Sequence, residues 1–422
     1  MLRSMLSATA LAVAAVPAHA QTTEQYRQLQ QRVERLEGQT KARGQGVFNP
    51  DISVILQGTA ARIKQDPETY EITGFAPSGG EVGPPRRGFS LSESELVLSG
   101  NVDPYFGAKL VAALTPEDEI EVEEAFFTTL ALGRGLTLKG GRFLSGIGYQ
   151  NEIHQHAWDF QDAPLAYNAF LGGRLNDDGV QGRWVAPTDF LLELGAEAGR
   201  GRTFPATDPN KNGAGAWSLF GHVGGDLAGA AWRAGLSYLR VKPSERAFED
   251  ADSLGAAATQ SFTGESKLWI ADFVVKWRDL KLQGEYFRRR ESGDLSFDDS
   301  GGSAVFGALT DSYTSTQSGW YAQAVYRFLP QWRAGYRYDR LDHGDVSNGI
   351  VDNGLGPTAA DFPLLMTDHN PTRNTLMVDW SPTEFSRVRL QFAQDKSRAG
   401  VTDDQLVLQY ILSLGAHGAH SF

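Results

Sequence analysis

The 422-residue sequence contains no cysteine, which excludes disulfide cross-links and thiolate metal centres. Positive charge is scarce: 39 Lys and Arg stand against 51 Asp and Glu, a formal net charge of −12. The basic face that a phosphate backbone requires is therefore missing, and nucleic acid is excluded as a partner. Long apolar runs are missing too. No segment offers the ~18 continuous apolar residues of a membrane-spanning helix. No G-x-S-x-G nucleophile motif occurs, no Ser/His/Asp grouping suggests itself, and no cofactor signature is present. The expectation is a protein without a catalytic centre or cofactor.

What is present is glycine, at 47 residues, and 11% aromatics, distributed in a definite order. Arg3 precedes a short alanine-rich apolar stretch, Met5 to Val16. Pro17-Ala18-His19-Ala20 then supplies an A-x-A cleavage pattern. Residues 1–20 read as a secretory signal peptide, with the mature chain beginning near Gln21. Residues 21–46 read as a periplasmic leader. In it Tyr26, Leu29, Val33 and Leu36 recur at spacings of three, four and three, an a/d seam stopped by Gly38. That seam predicts a short coiled coil that assists assembly of an oligomer.

From Asp51 onward the hydrophobic period is two, and residues 47–422 read as the barrel domain. Phe106, Ala108, Leu110, Ala112 and Leu114 alternate with Gly107, Lys109, Val111 and Ala113. Trp320, Ala322, Ala324, Tyr326 and Phe328 alternate with Tyr321, Gln323, Val325 and Arg327. Leu406, Leu408, Tyr410, Leu412 and Leu414 repeat the pattern near the C-terminus. Each segment is about ten residues, the length at which a tilted strand crosses a bilayer. Short turns, such as Val102-Asp103-Pro104, Gly133-Arg134-Gly135 and Arg278-Asp279, alternate with mostly long polar connections at 60–88, 145–177, 200–215, 242–265, 291–316 and 342–372. Short turns on one side and long loops on the other mark an outer-membrane barrel, and the pattern counts to about sixteen strands, an even number. A soluble β-sandwich also alternates but needs neither ten-residue strands nor one-sided loops. Trp232, Trp269, Trp277, Trp320, Trp332 and Trp380 fall near strand ends, as interfacial girdles do. The fold class is thus all-β: a transmembrane antiparallel barrel with a short helical N-terminal segment, addressed to the bacterial outer membrane and solvated by its lipid.

The order of parts, together with the hairpin "VEEAFFTTLALGRGLTLKGGRF" from Val122 to Phe143, resembles the phosphate-selective porin O/P-like group of Gram-negative porins. That group carries an acidic-Ala-aromatic motif, a tight turn, and a strand ending in Gly-Arg/Gln-Phe before the long third loop. The terminal Phe422 resembles the assembly signal of outer-membrane proteins. The resemblance covers the layout of nearly the whole mature chain, but only this hairpin in detail. It implies a homotrimer with one pore per subunit and a third loop, here 145–177, folded inward to narrow the pore. After Arg142 and Phe143 the sequence departs from the group's Pro-rich, Lys-containing continuation, which places it on a divergent branch and leaves the solute open.

Lumen residues are those that alternate with the lipid-facing ones. They include Lys109, Lys139, Arg183, Arg233, Lys281, Arg327, Arg333, Arg337, Arg387 and Arg389, with acids Glu93, Glu95, Glu193, Glu197, Asp272, Glu285, Asp379 and Asp395. Loop 145–177 holds Glu152, Asp159, Asp162 and Asp177 against a single arginine, Arg174. An acidic loop facing a basic wall predicts a transverse field and mild selectivity, since strong filtering needs a ring of one sign. The same loop carries His154 and His156. With Glu152 or Asp159 they have donor types that suit a borderline metal such as zinc; packing of two polar side chains is the alternative. His417 and His420 cannot be set beside the loop from the sequence. The reading is a passive diffusion channel for small hydrophilic solutes or ions. The competing reading is a solute-specific channel or binder for phosphate or a divalent metal. An energised transporter would need a plug domain, and only about 25 residues precede the barrel.

Overall fold

A computed structural model describes residues 50–78, 82–207 and 212–415. The signal peptide, the leader and the C-terminal His417, His420 and Phe422 lie outside the described residues.

The alternating segments pair antiparallel, each with its neighbour in sequence, and the ring closes where Asp51–Ile63 meets Asp403–Gly415, with Ile55 opposite Ser413. Two wall strands are interrupted. Gly88–Leu91 and Ser94–Asn101 both pair with Asp51–Ile63, and Ala230–Val241 and Arg246–Ala251 both pair with Ala257–Trp277. With each interrupted strand taken as one, the described residues form a closed barrel of sixteen strands. No helix among the described residues is long and apolar enough to cross a membrane; the crossing elements are strands.

Period two sorts the side chains. Leu110, Leu138, Leu194, Phe273, Leu390 and Leu408 are exposed on the outside, while Gln283, Glu285, Arg337, Asp379, Arg389 and Gln409 are buried on the inside. This inverts a soluble protein. It is stable because lipid takes the apolar face, at roughly 1.5–3 kcal/mol for each large side chain removed from water. Trp232, Trp277, Trp332 and Trp380 ring the short-turn end, with Trp332 and Trp380 in contact at 6.2 Å. Trp269 lies further along the strand that ends in Trp277 and packs on Tyr238 at 4.6 Å, beside Trp217. At about 3.3 Å per residue and a tilt of about 40°, the two belts are about 20 Å apart in depth, close to the apolar band of such barrels.

Beyond the second belt the structure departs from the expected loops at 242–265, 291–316 and 342–372. Arg246–Ala251 pairs with Ala257 to Phe262. Leu280–Asp298, 19 residues, pairs with Ala308–Leu329, 22 residues, as far as Asp298 opposite Ala308. These hairpins leave the membrane still hydrogen-bonded. Outside lipid both faces meet polar surroundings, so hydropathy alternation fades, yet backbone pairing needs no apolar face. On the opposite side the strands from Ser94 to Leu144 are only 8 to 10 residues long.

Candidate functional site

The segment 145–175 leaves Leu136–Leu144 and returns into Asn176–Val185, and the inward-facing side chains of the wall hold its backbone. Glu197 accepts from Gly146 N–H at 2.8 Å and Ser145 Oγ at 2.5 Å. Glu285 accepts from the amides of Tyr149 and Gln150 at 3.0 and 3.1 Å, Gln391 from Gln161, and Asp339 from Leu165. A loop drawn into a barrel must satisfy its own amides; here wall carboxylates and amide oxygens do so. The helix Leu165–Leu171 ends at Gly172 in the left-handed region, φ 66°, which glycine adopts without a Cβ penalty. All its residues are buried, and Phe170 stacks on Phe287 at 5.9 Å.

The acidic residues of the segment are not separated from the basic wall by a gap, as a transverse field would require. Glu152 bonds Arg183 at 2.6 Å. Asp159 takes Lys281 at 2.8 Å, Arg333 at 3.1 Å and Gln323 at 3.2 Å. Asp162 takes Arg337 at 2.9 Å, Arg373 at 2.7 Å and Gln391 at 2.7 Å. Burial pushes both aspartates up, but Lys281 and Arg333 beside Asp159, and Arg337 and Arg373 beside Asp162, outweigh it and hold both carboxyls below the usual range. Contact pairs latch the segment to the wall and neutralise most of its charge locally. Excess positive charge remains where Lys281, Arg333, Arg387 and Arg389 share Asp159 and Asp379.

The other expected lumen residues divide. Arg387 and Arg389 reach the Trp158 carbonyl at 3.4 and 2.7 Å, and Arg233 reaches the Gly148 carbonyl at 3.0 Å. Lys139 sits over the rings of Phe126 and Phe143 at 4.7 and 5.5 Å. Arg327 instead lies at the short-turn rim, bonded to Asp279 at 2.8 Å and half exposed, because its strand is ending there. A cavity of about 400 Å³, bordered by Glu93, Glu123, Trp158, Asn168, Arg174 and Arg202, lies on the side of the short strands.

His154 and His156 do not meet Glu152 or Asp159. They enter a cluster of wall carboxylates. His156 Nδ1 bonds Glu95 Oε1 at 2.7 Å. His154 Nε2 bonds Glu124 Oε2 at 3.0 Å, and Lys109 Nζ lies 2.6 Å from that same oxygen and 3.3 Å from Nε2. Nδ1 of His154 faces Glu95 Oε2 at 3.4 Å and Glu123 Oε2 at 3.3 Å. Burial disfavours its imidazolium, yet the carboxylates of Glu123, Glu124 and Glu95 lift His154 to about 9. Arg174 bonds Glu123 and, at 3.1 Å, Glu93.

Sequence reasoning placed Glu95 in the lumen but missed Glu123 and Glu124. Val111 pairs with Glu124 and Ala112 with Val122, so Glu123 is the extra residue of a β-bulge, which turns two successive side chains inward. The only sequence signal is the doublet itself: two adjacent glutamates inside a strand that otherwise alternates.

Compared with known proteins, the chain is 32% identical over 407 residues, 90% of its length, to an uncharacterised protein of Aquifex aeolicus (strain VF5), of which the match covers 81%. The chain belongs to that protein's family. No family model matches it. Among solved structures it resembles a loop-deletion mutant of OmpT, an outer-membrane protein of Vibrio cholerae, with 11% identity, 87% and 99% of the two chains covered and a TM-score of 0.53. The trimer form of in-vitro folded OmpT of Vibrio cholerae gives 12%, 87% and 99%, and 0.50. The outer-membrane channel DcaP of Acinetobacter baumannii gives 11%, 86% and 97%, and 0.51. At these identities the likeness is one of fold: an outer-membrane, porin-like barrel.

Proposed function

We propose that the chain is an outer-membrane channel for passive diffusion of small hydrophilic solutes or ions, constricted by the segment 145–175. The observation that carries this is a closed sixteen-strand wall with an apolar exterior and many charged and polar side chains among those buried inside, at a circumference where barrels leave an aqueous channel. Pore-lining roles go to Glu152, Asp159 and Asp162 on the segment, and to Lys139, Arg183, Arg333, Arg337, Arg387 and Arg389 on the wall; Arg327 belongs to the rim. Pairing of nearly every charge supports mild selectivity. The porin O/P resemblance makes phosphate the first specific solute to test, and the unbalanced group around Arg387 and Arg389 is where it would act. Residues 1–20 serve as the export signal and 21–46 as the periplasmic leader. Self-association as a homotrimer is supported by the trimer form of OmpT from Vibrio cholerae.

Purified protein in planar bilayers under a KCl gradient is expected to give discrete conductance steps and a modest reversal potential. Absence of steps from correctly folded, heat-modifiable protein refutes the channel. Saturable block of KCl current by low phosphate replaces mild selectivity with a specific anion site.

A further inference from the structure

We propose that Glu95, Glu123 and His154 form a binding site for a divalent first-row transition-metal ion of the zinc type, with one coordination position left to the lumen. Donor atoms from all three residues, one from each, lie within 4.8 Å of one another. Nδ1 of His154 is 3.4 Å from Glu95 Oε2 and 3.3 Å from Glu123 Oε2. Donors held at about 2.0–2.1 Å around a tetrahedral metal stand about 3.3 Å apart. The three atoms are buried, and none of them has a hydrogen-bond partner. Buried carboxylate oxygens without a hydrogen-bond donor are costly, and two of them converging on one imidazole nitrogen describe a place for a cation.

The remaining atoms of these side chains are fixed as metal ligands require. Glu95 Oε1 accepts from His156 Nδ1, Glu123 Oε1 from Arg174, and Glu124 Oε2 bonds Nε2 of His154. A ligating histidine usually gives its second N–H to a carboxylate, which sets the tautomer and turns the other lone pair to the metal. Charge agrees. Glu93, Glu95, Glu123 and Glu124 outnumber the two permanent cations they meet, Lys109 and Arg174, so the cluster favours a further cation. Calcium and magnesium fit poorly: they take six or more oxygens, whereas an imidazole with two carboxylates suits zinc, iron, cobalt or nickel. Glu123 also borders the 400 Å³ cavity, which offers an entry path and the open position.

The test uses the full mature chain carrying His417→Ala and His420→Ala, which removes the C-terminal histidines as competing ligands. EDTA-stripped protein is titrated with ZnCl2 by calorimetry and, separately, loaded with Co2+ and read by visible absorption. One zinc per chain and the intense visible bands of tetrahedral cobalt are expected. Affinity is expected to fall at least about 100-fold in Glu123→Gln and in His154→Gln. His156→Ala, acting through Glu95, is expected to lose about 10-fold. Heat-modifiable mobility verifies the barrel in each variant, and Glu95→Gln replaces any variant that does not fold. No zinc uptake, uptake unchanged in folded Glu123→Gln, or displacement of zinc by equimolar Mg2+ overturns the site. Binding is read without conductance, so this proposal and the channel fail independently.

Discussion

Asp159→Asn is nearly isosteric and removes one negative charge from a group in which cations already outnumber acids. Lys281, Arg333, Arg387 and Arg389 would be left with Asp379 alone. Arg333 keeps its bonds to Asp379 at 3.0 and 2.6 Å, so the loss belongs at the low end of a broken buried pair, about 3 kcal/mol. If the segment exchanges between docked and released states, that is a change of about 100-fold in their ratio. The electrostatic effect on ions is separate. One elementary charge about 5 Å from the ion path in water contributes about 0.8 kcal/mol unscreened and about 0.5 kcal/mol at 0.1 M salt. Anions gain about twofold and cations lose about twofold, so the anion-to-cation permeability ratio rises about fivefold. At 1 M the same charge gives less than about a twofold change. Reversal potentials in KCl gradients at both ionic strengths measure this. An unchanged ratio at 0.1 M, or an equal shift at 1 M, refutes the placement of Asp159 beside the ion path.

The depressed carboxyls of Asp159 and Asp162 make the latch acid-sensitive. Their stabilisation is fully present above the ordinary carboxylate pKa of about 3.9 and is lost as pH falls through the lower docked values. Conductance is therefore expected to hold from pH 7 to about 5 and become noisy only below about 4; loss of the docked state at pH 6 contradicts the latch. Gly141→Ala is expected to block barrel assembly: a Cβ there would lie 2.2 Å from the Ala125 carbonyl oxygen at φ +125°. Loss of heat-modifiable mobility checks it, and wild-type folding yield refutes the close approach. Deleting residues 21–37 is expected to weaken trimer assembly while leaving the barrel spectrum by circular dichroism intact. Trimers as stable as wild type dismiss the coiled-coil role.

Sequence alone determined what depends on neighbours along the chain. Alternation at Phe106 to Leu114 or Leu406 to Leu414 assigns each side chain to lipid or lumen, and Val102-Asp103-Pro104 or Arg278-Asp279 places the turns, because both are local consequences of strand geometry. Those two signals suffice for an even-stranded membrane barrel. Tertiary structure decided the rest. Leu280–Asp298 extends past the Trp269 belt because pairing continues where hydropathy no longer alternates. Glu123 joins Glu124 inside the barrel because a bulge reverses the parity on which sequence reading relies. Asp159 finds Lys281 and Arg333, and His154 finds Glu95 and Glu123, across separations of 122, 174, 59 and 31 residues. No period records such pairs: closing the ring brings them together, and burial leaves an unpaired charge there too costly to keep.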